Sequence, residues 1–125
     1  MHPLPTDAEL DILSALWRLG PSSVREVHEA LSKSSGYTTT LKQMQVMTEK
    51  GLLVRNERHR THIYEARAPK ERTRREIAGD LMKRAFNGSA KELMLGALAA
   101  NPASDEELAE IRQILDDLAK KRGLK

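Results

Sequence analysis

Residues 37–66 read YTTTLKQMQVMTEKGLLVRNERHRTHIYEA, and two periodicities meet inside this stretch. Up to Gly51 the apolar positions Leu41, Met44 and Met47 fall on one face of a helix. Three consecutive threonines, Thr38, Thr39 and Thr40, are candidate N-caps for it, and Thr40 also has Gln43 at capping-box spacing. Beyond Gly51 the pattern turns to alternation. Leu52-Leu53-Val54 and His62-Ile63-Tyr64-Glu65-Ala66 read as strands, and the polar Arg58-His59-Arg60-Thr61 between them suits a hairpin tip. Pro69 closes the unit.

Two further helices precede this stretch. Thr6-Asp7-Ala8-Glu9 is a capping box, followed by Leu10, Leu13, Leu16 and Trp17 on one face and ended by Gly20-Pro21. Ser23-Val24-Arg25-Glu26 is a second box, with Val24, Val27 and Leu31 as the apolar stripe and Gly36 as the breaker. Helix, helix, helix, hairpin is the helix-turn-helix plan with a β wing.

The chain beyond Pro69 is helical. Lys70 to Phe86 places Ile77, Leu81 and Ala85 on one face, and Asn87-Gly88 ends it. Ser89 caps a segment, Leu93 to Ala100, that is apolar nearly all round and so must be covered on several sides. Asn101-Pro102 stops it. Ser104 caps the last helix, whose Leu108, Ile111, Leu115 and Leu118 are spaced like a coiled-coil seam. The expected fold is mainly α with a small β wing. A winged helix-turn-helix domain over 1–68 is joined to a helical dimerisation lobe over 69–125, with Leu93, Leu98, Leu108, Ile111, Leu115 and Leu118 as the dimer contacts.

Composition narrows the function. The chain has 125 residues, 31% of them charged, and a net charge of +3. Between residues 42 and 75, ten basic residues face four acidic ones, a local +6 that leaves the rest at −3. A basic belt on a slightly acidic protein suits a polyanionic partner. Four aromatics leave an aliphatic core, and the lack of cysteine removes disulfides, thiolate nucleophiles and cysteine-containing zinc sites. No apolar run approaches the ~20 residues that span a bilayer, and Met1-His2-Pro3-Leu4-Pro5 does not read as a signal peptide, so a cytoplasmic location is expected. His2, His28, His59 and His62 have no acid cluster at metal-ligand spacing. Neither a phosphate loop nor a hydrolase elbow occurs. No catalytic, metal or cofactor site is expected.

With Leu41, Met44 and Met47 turned inward, Thr38, Thr39, Lys42, Gln43 and Gln45 remain on the outer faces of helix three. These are donors that reach base edges and phosphates, and no acid intervenes before Glu49. An ordinary solvated helix has similar polarity, but this one adjoins Arg55, Arg58, His59 and Arg60 of the hairpin. The second helix of a helix-turn-helix enters the major groove, and a wing touches the backbone beside it. Tyr37 suits either a DNA contact or packing. Trp17 is expected in the core.

The order and spacing of these blocks resemble the penicillinase-repressor family of winged-helix regulators (BlaI, MecI and CopY). The opening Glu9-Leu10 with Ile12-Leu13 and Leu16-Trp17, the Val24-Arg25-Glu26-Val27 block and Tyr37-Thr38-Thr39-Thr40-Leu41 carry the likeness. So do Met47-Thr48-Glu49-Lys50-Gly51-Leu52 and Phe86-Asn87-Gly88-Ser89. The resemblance implies a homodimeric repressor on a palindromic operator in double-stranded DNA, with Thr38, Thr39, Lys42 and Gln45 facing the groove and Arg58 and Arg60 in the wing. It also implies a membrane metalloprotease sensor as partner. The family's Asn-Phe cleavage pair falls on Gly96-Ala97, and its copper-responsive branch has C-terminal cysteines that are missing here. Thr40 stands where the family often has Val or Ile. The main alternative is a winged-helix module that docks an acidic protein, which would call for aromatic or Leu anchors on helix three. A small-molecule regulator is disfavoured by the few groups available to line a pocket.

Overall fold

Thr6 opens α1 (Asp7–Leu19) by accepting the Glu9 amide at 3.2 Å, while the Glu9 carboxylate accepts the Thr6 amide at 2.9 Å. The same reciprocal pair, Ser23 with Glu26, opens α2 (Val24–Leu31) at 3.2 and 2.9 Å. Gly20 ends α1 at φ 82°, where its amide reaches the Leu16 carbonyl. These contacts are seen in a computed structural model that describes residues 4–31, 36–58 and 60–123; His59 lies outside the described residues. The chain divides into two compact units, 1–79 and 80–125.

In the first unit α3 (Tyr37–Glu49) follows α2, and the antiparallel strands β1 (Leu53–Asn56) and β2 (Ile63–Ala66) form the wing, with Arg55 opposite Tyr64. The cap of α3 differs from expectation. Gly36 is the N-cap, with no side-chain hydrogen bond, so all three threonines lie inside the helix. Thr40 is instead buried at 2% exposure, its Oγ1 2.9 Å from His28 Nδ1 on α2. The core joins Ile12, Leu13 and Leu16 of α1 to Val24 and Val27 of α2, Met44 and Met47 of α3, Leu53 and Tyr64. Each large aliphatic side chain buried this way contributes about 1.5–3 kcal/mol before chain entropy is charged against it. Leu10 and Trp17 are only half-buried; Trp17 packs on the core and donates its indole N–H to the Ala68 carbonyl at 3.0 Å. The α1–α2 loop also pairs with the wing, because Ser22 and Tyr64 exchange both backbone hydrogen bonds at 2.9 and 2.8 Å. This one-residue bridge on the other edge of β2 ties the hairpin to the helices.

α4 (Lys70–Ala85) begins in the first unit, with Thr73 buried. Its expected apolar face is weaker than the spacing suggests: Ile77 is half-buried, while Leu81 and Ala85 are exposed. In the second unit Ser89 caps α5 (Ala90–Ala100) and Ser104 caps α6 (Asp105–Lys121), each accepting the amide three residues on at 3.1 Å. Among the described residues of α5 and α6 none is buried. Leu108, Leu115 and Leu118 are 42%, 49% and 53% exposed, Ile111 is half-buried, and Ile114, outside the expected seam, is 57% exposed. Gly96 lies under the Phe86 ring, so closely that a Cβ there would meet Cε1 at 3.1 Å.

Candidate nucleic-acid interface

The inward turn of Thr40, Met44 and Met47 decides which way the rest of α3 faces. Thr38, Lys42 and Gln45, spaced four and three apart, form one exposed row, with Thr39 and Val46 exposed beside it and Gln43 half-buried. Glu49 ends that row on the solvent side.

The two flanks of the row border different hollows. On one side Thr38, Thr39, Lys42, Gln43 and Val46 face Thr6 and Glu9 across a space of about 350 Å³. On the other, Gln45 with Tyr37 and Leu41 borders a groove of about 220 Å³ whose far wall carries Arg55, Arg60 and His62. The structure therefore brings Gln45 together with Arg55 and Arg60. Thr38, Thr39, Lys42 and Gln43 form a separate group. Arg58 is exposed at the hairpin tip, where its amide donates to Asn56 Oδ1 at 2.9 Å and shapes the turn.

Charge is distributed unevenly over the cations. Arg55 pairs with Glu57 at 3.2 Å, and the same carboxylate oxygen lies 3.7 Å from His62 Nε2. Among the described residues no carboxylate holds Lys42, Arg58 or Arg60, so their charge is available to a partner. The acid beside the Thr38–Lys42 hollow, Glu9, is already engaged by Lys50 Nζ at 2.7 Å. Burial pushes the Glu9 carboxyl up, but hydrogen bonds from Lys50 and the Thr6 amide, with the Lys50 charge, outweigh it and hold the group below its ordinary value. The pair also ties the end of α3 to the start of α1.

Tyr37 packs against α2. Its ring meets His28 edge-on at 6.0 Å, and the Arg25 guanidinium lies 5.1 Å from its centroid. Sequence reasoning names Arg25 only as part of the Ser23–Glu26 capping box and the block around it and assigns it no contact, because the ring it meets lies on another element. The one available signal was Tyr37 itself, an aromatic at the very start of a polar helix face.

Comparison with known proteins points the same way. Residues 5–117 match the family model described as "Penicillinase repressor". The chain is 26% identical to the penicillinase repressor of Bacillus licheniformis over 117 residues, which are 92% of this chain and 91% of that protein. It is 30% identical to the transcriptional regulator BlaI of Mycobacterium tuberculosis over 123 residues, 94% of this chain and 86% of that one.

Proposed function

The chain belongs to the penicillinase repressor family, and from that premise we propose that it works in the cytoplasm as a homodimer that reads a palindromic operator through α3 and the wing. Membership makes it a transcriptional repressor and not an enzyme. The observation that carries the finer reading is the exposed row Thr38, Lys42 and Gln45, set beside the groove where Gln45 meets Arg55 and Arg60. Neutral amide and hydroxyl donors suit base edges, and the flanking cations suit phosphates. α3 offers an acidic partner few anchors, since its exposed large apolar side chains are Tyr37 and Val46. Two copies would cover the aliphatic faces of α5 and α6 and present two α3 helices to two half-sites.

A membrane metalloprotease sensor is the partner the family resemblance implies. Gly96 and Ala97 offer no large side chain to a protease pocket, so relief of repression uses a protease of other specificity or an inducer that loosens the dimer uncut. The proposal is tested by selecting bound sequences from a random duplex library. Enrichment of a two-fold symmetric sequence is expected; a pool that stays random after repeated selection would contradict it.

A further inference from the structure

Arg25 has no assigned role, yet its placement is specific. It is exposed near the start of α2, with Glu29 one turn on along the same helix face. Among the described residues it pairs with no carboxylate, Glu29 included; its guanidinium lies over the Tyr37 ring, 5.1 Å from the centroid. Glu26, the other nearby acid, is committed to the Ser23 cap. The ring beneath is itself fixed, edge-on to His28, whose Nδ1 is 2.9 Å from the buried Thr40 hydroxyl.

A cation–π contact with an aromatic face uses none of the guanidinium's N–H donors, and that free fork matches the two free oxygens of a phosphodiester. Tyr37 is also a wall of the groove that carries Arg55 and Arg60. Arg25 thus stands at the α2 end of the same basic surface that the wing closes from the other side. The geometry points to Arg25, seated on Tyr37, as a backbone-phosphate contact of the DNA complex, one that clamps the strand between α2 and the wing. This rests on the DNA-binding reading above. Arg25 carries no sequence information; it adds affinity for duplex of any sequence.

The test compares the full-length protein with Arg25→Gln on a selected operator and on random-sequence duplex, across a range of salt, with thermal unfolding of each protein measured alongside. Arg25→Gln is expected to unfold at the same temperature and to weaken both duplexes by one common factor, roughly tenfold near physiological salt. The slope of log K against log salt should flatten by about two, one phosphate for each protomer at ~0.9 apiece. Arg25→Lys, which keeps the charge without the fork, should restore the slope and only part of the affinity. A loss confined to the operator with an unchanged slope would show that Arg25 merely orients α3, and would overturn the inference. Equal binding by Arg25→Gln and the unmodified protein would overturn it too, while leaving the α3–wing reading in place. If the unmodified protein shows no salt-dependent binding to either duplex, both readings fall together.

Discussion

Gln45 and Arg60 border the same groove but would sense different parts of a duplex. An amide side chain can bond an adenine edge through both its groups, whereas a wing guanidinium meets phosphate, which is the same at every step. Gln45→Ala should therefore cost about 1–3 kcal/mol on the operator and little on random DNA, measured by equilibrium titration. Arg60→Ala should weaken both by similar factors. Equal losses on the two duplexes for Gln45→Ala would refute base reading by this side chain. Glu9 makes a second residue-level prediction, concerning stability. Its carboxyl is held below the ordinary range by Lys50 and the Thr6 amide, so the ionised form favours the folded state. That contribution is complete above the ordinary carboxylate range and is lost as pH falls through the depressed folded value. Glu9→Gln should thus lower unfolding free energy modestly at neutral pH, by up to about 1 kcal/mol, as is typical of an ion pair with one exposed partner. The gap from the unmodified protein should close in acid, and a gap independent of pH would contradict the assignment.

The elements show which parts of the structure were legible and which were not. Local hydrogen bonds were: Thr6 with Glu9, Ser23 with Glu26, and the caps Ser89 and Ser104 all fall where short-range spacing puts them. At the start of α3 spacing was ambiguous, and a longer-range contact decided the outcome. The buried Thr40 hydroxyl is taken by His28, and Gly36 is left to cap. The Ser22–Tyr64 rung and the seat of Arg25 on Tyr37 were invisible for the same reason, since each joins separate elements. Of the candidate DNA contacts, sequence located the exposed row on α3 but could not show that Gln45 alone shares a groove with Arg55 and Arg60. The uncapped start of α3 makes an element-scale prediction. Gly36 has φ −75°, open to any residue, and nothing lies within 4 Å of where a Cβ would stand. Gly36→Ser should supply the missing cap acceptor and stiffen the unfolded chain, together worth about 0.5–1 kcal/mol. Scanning calorimetry should show a midpoint a few degrees higher, and a lower midpoint would mean that the glycine is needed in the folded state.

At the scale of the whole molecule, the aliphatic faces of α5 and α6 and the cations of α3 and the wing make one account. Leu115 is 49% exposed in the single chain, so a charge there costs the fold of its own unit little. Leu115→Asp should nonetheless convert a sedimenting dimer into a monomer that binds one half-site weakly. A monomer for the unmodified protein at micromolar concentration would contradict the dimer. The central claim is that two such chains meet DNA through Lys42, Arg58 and Arg60, cations that no described carboxylate neutralises. Six phosphate contacts at ~0.9 each predict a slope of log K against log salt at least as steep as about −5. Arg25 of each protomer would steepen it further. The most direct test is that slope, measured on the selected operator from dilute to physiological salt. A value near −5 or beyond supports the account, and a binding constant indifferent to salt over that range contradicts it.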